Sequence, residues 1–377
     1  MRLDRERISM ILLKTSFSLF TISPFVSNIP FDIGLFLFFT GYLLKEKRAS
    51  IFEKIDRPYI ALFLAGIISI FFSPEPLSTL IKMRFYRFFL MVPFLRIYLE
   101  ENGGENIVKI SLISGIIIGS YILLTTLTNG RSLPFYLHYH FENDGRIIPQ
   151  WSHVFFFYLI PSLYLISKKK FLTPSLIFSI ISLSIIVLSK TRSTFIAIFC
   201  VSLVISFLKS KKFLIFPLSL IVILFLYCRF FPSSTPSLLV KSVIMPFDKS
   251  SPRYGSNMER VEMIKEAFST HPLKVITGNG FDSYEFQTKT SHRRIFSDII
   301  HTLVCTGIPG LAAFLWLIIH WFKSSVESWR KKDFVPLSLL AGFLSAGLFE
   351  PNFYNTETLL SFLFLFTWYT NRDEGTR

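Results

Sequence analysis

The chain has 377 residues, of which 40 are Lys or Arg and 25 Asp or Glu, giving a formal net charge of +15; 51% of residues are hydrophobic and 44 are phenylalanine. This apolar excess and a mean hydropathy of +0.49 exclude an ordinary soluble multidomain protein. The basic residues sit in short clusters between long apolar runs, which excludes a nucleic-acid surface, and Cys200, Cys228 and Cys305 lack the spacing of a disulfide framework or zinc site.

Runs of roughly 20 apolar residues, or fewer where the ends snorkel, are read as membrane spans. Twelve are predicted: 8–24, 29–44, 58–73, 80–98, 107–127, 151–167, 171–189, 193–208, 213–231, 299–321, 335–349 and 356–370. The first carries Lys14 and a Thr/Ser-rich middle but no small-residue cleavage site, so a retained span is expected rather than a signal peptide. With both termini cytoplasmic, 22 of the 40 basic residues fall on the inner side, as the positive-inside rule requires. The expected fold is therefore an all-α polytopic membrane protein of about twelve transmembrane helices. Residues 1–231 would hold spans 1–9, 232–298 a large outer loop, and 299–377 spans 10–12 with a cytoplasmic tail.

A second, smaller outer segment covers 128–150. In the larger loop, Ser256-Asn257-Met258-Glu259 fits a capping box ahead of Val261, Ile264 and Phe268 at helical spacing, and Ser269-Thr270-His271-Pro272 closes the helix. Thr277-Gly278-Asn279-Gly280 follows as a turn. No internal repeat is evident, and the uneven loop distribution argues against the two-fold repeats of many transporters.

Charges within or beside spans are candidate functional groups, because their burial has to be offset by a partner or ligand. Arg192, in the tight turn Lys190-Thr191-Arg192-Ser193, faces outward in this topology and suits an anion; a lipid-headgroup contact is the plainer alternative. Arg260 would lie in the first turn of the loop helix, where a cation opposes the macrodipole, so a phosphate or diphosphate explains it better than local stability. A salt bridge to Glu259 or Glu266 is the alternative. Arg84 and Arg87 share a face at the outer end of the fourth span with a snorkelling role open to them, and Arg146 precedes the sixth span. His301 lies near the outer end of the tenth span with Asp298 one turn earlier, a spacing that would orient a general base. Metal-ligand spacing is absent from the outer segments.

These residues together resemble the O-antigen ligase superfamily of bacterial inner-membrane glycosyltransferases, which includes ligases and polymerases. The resemblance rests on Leu188-Ser189-Lys190-Thr191-Arg192-Ser193, on Met258-Glu259-Arg260 with His271-Pro272-Leu273 and Gly278-Asn279-Gly280-Phe281, on Thr306-Gly307-Ile308-Pro309-Gly310-Leu311, and on the large loop between the ninth and tenth spans. It covers residues 185–320; the N-terminal half matches in span pattern alone. It implies a GT-C-like fold in the inner membrane and transfer of a glycan from undecaprenyl diphosphate to lipid A-core at the periplasmic face. No metal or other cofactor is implied, and the partners are the lipid-linked donor, the lipid A-core or glycan acceptor and membrane lipids. Arg192 and Arg260 would hold the donor diphosphate, assisted by Arg84, Arg87 and Arg146. In one departure, the family's catalytic His position, eleven residues before the glycine matching Gly307, is Phe296 here. His292, one turn earlier, and His301, five residues later, are the candidate bases. A polymerase and a lipid-linked oligosaccharide flippase are the rival activities, and a non-catalytic scaffold the third.

Overall fold

A computed structural model describes residues 2–26, 28–45, 56–102, 105–127, 149–189, 191–209, 230, 249, 254–269, 274–281, 297–350 and 352–371. Every regular element among them is helical. In chain order these are α1 (Arg2–Val26), α2 (Asn28–Leu44), α3 (Arg57–Ile70), α4 (Pro76–Lys82), a 3-10 segment (Met83–Leu90), α5 (Met91–Asn102), α6 (Glu105–Leu127), α7 (Pro149–Ser167), α8 (Leu172–Ser189) and α9 (Arg192–Lys209). They continue with α10 (Tyr254–Ser269), α11 (Lys274–Thr277), α12 (Asp298–Arg330), α13 (Val335–Gly347), a 3-10 turn (Asn352–Tyr354) and α14 (Thr356–Asn371). Eleven of the twelve predicted apolar stretches coincide with helix; the ninth, 213–231, lies outside the described residues apart from Phe230. Of these helices, four are long and apolar enough to cross a membrane by length and composition, and five more are apolar but shorter.

Side chains explain how the helices meet. Ser9 Oγ donates to the Gly41 carbonyl at 2.6 Å and Ser16 Oγ to the Gly34 carbonyl at 2.7 Å, so small residues seven apart bring α1 and α2 into backbone contact. That is how helices associate where lipid removes the hydrophobic incentive. The outer faces stay apolar, with Phe36, Phe71 and Leu77 among many exposed large residues, as a lipid-facing surface requires. The C-terminal helix α14 is buried along nearly its whole length, from Thr358 to Tyr369, and contacts α1, α5, α7 and α13. A helix apolar all round belongs at the centre of such a bundle.

Two predicted spans differ in form. The stretch 80–98 is α4, the 3-10 segment and α5 rather than one continuous helix. Pro93, in the first turn of α5, has no N–H to give the Phe89 carbonyl, which favours the tighter winding just before it. The stretch 299–321 extends to Arg330, and α12 is two helices joined at Gly307, whose φ of 68° and ψ of −168° are non-helical.

Candidate functional site

The site is built around the kink in α12. Pro309 has no N–H for the Cys305 carbonyl, and the break at Gly307 diverts the next turn, so carbonyls at the kink need donors from elsewhere. The turn 277–281 supplies them. Asn279 N–H donates to Val304 O and Cys305 O at 3.2 and 3.0 Å, Gly280 N–H to Cys305 O at 2.9 Å, and Asn279 Nδ2 to Val304 O at 3.0 Å.

The contact is backbone against backbone. Gly278 and Gly280 have φ of 79° and 106°, and a Cβ on Gly278 would fall 2.6 Å from the Cys305 carbonyl oxygen. These glycines and Gly307 are therefore required both for left-handed backbone and for close approach. The other side of the turn seats on α3–α4, where Gly280 faces the hydrogen-bonded pair Ser73 Oγ and Thr79 Oγ1, 2.7 Å apart. Phe281 packs on Phe85, Tyr86 and Tyr354. The glycine-rich run and the Thr-Gly-x-Pro-Gly run, separate in sequence, are thus two halves of one socket.

The helix α10 lies over this socket. Its Met263 is buried with Val304 and Cys305 of α12. The predicted apolar stripe of Val261, Ile264 and Phe268 is only partly the packing face: Phe268 is exposed, and Asn257, Arg260 and Met263, at three-residue spacing, turn inward with Ile264 beside them. The capping-box expectation is corrected as well. The helix starts at Tyr254, so Ser256 lies inside it and Arg260 is in its second turn. Because the dipole's influence fades within the first turn, the macrodipole argument does not hold for Arg260. It holds for Arg192, which opens α9.

On this inward face Arg192 Nη2 donates to Asn257 Oδ1 at 3.3 Å, and Arg260 Nη2 lies 3.5 Å from Glu350 Oε1. The helix α10 therefore brings together the two predicted arginines: the residue that Arg192 grips is one turn from Arg260. Each guanidinium is about half-buried, where charge is screened less than at an open surface.

Glu350 begins the turn 350–355, which covers the N-terminal end of α12. Phe353 N–H donates to Asp298 Oδ1 at 2.9 Å and Tyr354 OH to Thr302 Oγ1 at 2.9 Å. His301 is fully enclosed: its Nε2 is 3.6 Å from Cys305 Sγ, and the Tyr354 ring packs edge to face on it at 4.3 Å. In this conformation it presents no surface to an acceptor hydroxyl.

Of the remaining predicted residues, the described ones, Arg84 and Arg87, are not drawn into this group. Arg87 makes a two-pronged pair with Asp32 of α2, Nε to Oδ1 at 2.7 Å and Nη2 to Oδ2 at 3.2 Å, and lies over the Phe88 ring. Arg84 is exposed on the same 3-10 segment, one turn from Arg87, and its carbonyl accepts a bond from Arg87 Nη1. His292, Arg146 and Phe296 lie outside the described residues.

Sequence reasoning gave no role to Glu350 or to His153. His153, buried in the first turns of α7, has its Nε2 3.0 Å from Ser193 Oγ, and Ser152 Oγ is 2.7 Å from Thr194 Oγ1. Ser193 adjoins Arg192, and Thr194 is the next residue. The signal available was a His and a Ser side by side at the start of an apolar span, where each needs a polar partner.

Fold and site together define a helical multi-pass membrane protein in which a loop helix gathers two arginines over the kinked start of a membrane helix. Residues 177–315, which include α9, α10, the socket turn and the kink, match the family model described as O-antigen ligase, and this supports the O-antigen ligase superfamily for that segment. No curated protein matches the chain.

Proposed function

We propose that the protein is an O-antigen ligase-type glycosyltransferase that moves a glycan from undecaprenyl diphosphate to lipid A-core at the periplasmic face of the bacterial inner membrane, with both termini cytoplasmic and the segment 232–298 periplasmic. The observation that carries this reading is the convergence of Arg192 and Arg260 on one face of α10.

The acceptor hydroxyl attacks the anomeric carbon as the bond to the diphosphate breaks, a base takes the hydroxyl proton, and the diphosphate leaves with the electron pair. Negative charge grows on the leaving oxygens, and two guanidiniums at the membrane interface stabilise it without a metal. The first turn of α9 adds backbone N–H groups and the positive end of its dipole beside Arg192. Arg84, Arg87 and Arg146 would supply further positive potential, with Arg87 exchanging its Asp32 contact for the ligand. Of the two histidines, the enclosure of His301 favours His292 as the base, with His301 holding the 350–355 turn against α12.

The test is transfer by purified protein from an undecaprenyl diphosphate glycan to lipid A-core, with EDTA present. Glycan-capped product, lost in Arg192→Ala and Arg260→Ala, supports the reading. Elongation of the carrier-linked glycan instead would make the protein a polymerase, and movement of intact donor across a vesicle membrane a flippase. His292→Ala is expected to remove turnover while leaving donor binding unchanged; full activity of that variant overturns its assignment.

A further inference from the structure

The four polar side chains that join α7 to α9 are not used by the reading above, and their placement is specific. His153 is 2% exposed, as is Ser193, and Ser152 and Thr194 are 0% exposed. They face each other in adjacent pairs, His153 with Ser193 at 3.0 Å and Ser152 with Thr194 at 2.7 Å. The helix α9 packs chiefly along α13, so this clasp is a distinct hold on its first turn. An imidazole enclosed in an apolar bundle costs desolvation energy that a leucine would not, and it is compensated here by one bond to the residue next to Arg192.

A side chain at the opening of a helix depends on where that first turn sits, because end turns fray and a guanidinium reaches far from its Cα. Arg192 meets Asn257 at 3.3 Å from a turn that His153 and Ser152 also hold, through Ser193 and Thr194. The helix α10 is thus reached from α7 through three successive contacts: His153 to Ser193, Ser193 to its neighbour Arg192, and Arg192 to Asn257.

We propose that His153 is a positioning residue for the donor site: its hydrogen bond to Ser193 fixes the first turn of α9 and so aims Arg192 at the donor diphosphate. The inference rests on Arg192 being a diphosphate contact. It assigns His153 no contact with substrate and no proton transfer. What it requires is the Nε2 bond, in whichever tautomer makes it.

The probe is undecaprenyl diphosphate, titrated against the full-length protein in detergent, with the melting temperature of every variant measured alongside. His153→Phe fills the volume without the bond, and Ser193→Ala removes the partner with little change in packing. Each is expected to weaken binding about tenfold with the melting temperature nearly unchanged. The double variant should be no weaker than either single variant, because both remove one interaction. His153→Gln, whose amide nitrogen reaches to about the position of Nε2, should restore affinity to within about threefold of the parent.

Undiminished binding in Ser193→Ala, or additive losses in the double variant, overturns the proposal while Arg192→Ala still loses affinity. If His153→Phe does not fold, Ser193→Ala and His153→Gln decide the matter. Undiminished binding in Arg192→Ala overturns the diphosphate assignment itself, and this inference with it.

Discussion

The two ends of α12 hold charge in different ways. Near its C-terminal half, His320 Nε2 lies 3.2 Å from Asp56 Oδ2, and Asp56 receives two 2.8 Å bonds from Arg96, so side chains from α12, α5 and the start of α3 form one compact group. Beside it, Trp321 Nε1–H donates to Tyr59 OH at 2.9 Å. His301 and His320 are 19 residues apart, about 28 Å along a helix, comparable to the hydrocarbon thickness of a membrane. At the His301 end the elements are joined by backbone: glycine against glycine, and loop N–H groups on kink carbonyls. There Arg192 contacts a neutral amide at 3.3 Å and Arg260 a carboxylate at 3.5 Å. Close charge pairs fasten the bundle at one end; at the other, backbone contacts fasten it, and these two arginine contacts are longer. A phosphate oxygen, binding a guanidinium at about 2.8 Å, would compete well with those longer contacts and poorly with Asp56.

This contrast is broken most directly by exchanging the consequences of arginine removal. Arg192→Ala and Arg260→Ala are each expected to lower glycan transfer by about 10² to 10³-fold, as for loss of a transition-state charge contact, with the melting temperature nearly unchanged. Arg96→Ala should do the opposite. It leaves the half-buried Asp56 without its two-pronged partner and lowers stability by about 2–4 kcal/mol, somewhat under the cost at a fully buried pair. A large melting-temperature drop in Arg192→Ala together with none in Arg96→Ala would reverse the assignment of the two ends.

The backbone fastening has its own test. Gly307→Ala places a Cβ at φ 68° against the Ile276 carbonyl and should destabilise by about 2–3 kcal/mol, seen as a lower melting temperature in detergent. Asn279→Ala loses one side-chain bond to the Val304 carbonyl while the turn's N–H donors remain, so about 1 kcal/mol is expected by the same measurement. Equal effects from both would mean that side chains, and not the backbone, carry the socket.

The smallest effect concerns acidity at the charged end. Burial pushes the Asp56 carboxyl up, but the hydrogen bonds from His320 and Arg96 and their charge outweigh it and hold its pKa below the ordinary 3.8. With the folded pKa depressed, Asp56 contributes its full stability above about pH 5 and loses it as the pH falls through the native value. Melting temperature should therefore fall more steeply between about pH 5 and pH 3 in the parent than in Asp56→Asn. Parallel curves would show that this carboxylate does not fasten its end.

Much of the architecture was legible in the sequence because a membrane demands long apolar runs, and Leu, Ile and Phe runs announce themselves without knowledge of their neighbours. The motifs at 188–193, 258–260, 278–281 and 306–311 were visible as well, since glycine, proline and arginine are conspicuous among apolar residues. What each does was less legible. Gly278 read as part of a turn and Gly307 as part of a motif within a span, and their mutual contact is a property of two segments nearly thirty residues apart. The inward face of α10 was misread because apolar spacing pointed to Val261 and Phe268, whereas the polar residues Asn257 and Arg260 turn inward to meet Arg192 and Glu350.

His301 shows the same limit. Its spacing from Asp298 suggested an oriented base, but the Tyr354 ring and the 350–355 turn, contributed from fifty residues downstream, enclose it. His153 was passed over because the residue that satisfies it, Ser193, belongs to another helix. Composition and local pattern by themselves determined the membrane class, the helical elements and which charged residues stand out beside the spans, because these follow from the cost of placing each residue type in lipid. Which residue each of these charges meets was decided only by tertiary structure, because a guanidinium's partner is set by the helix packed against it.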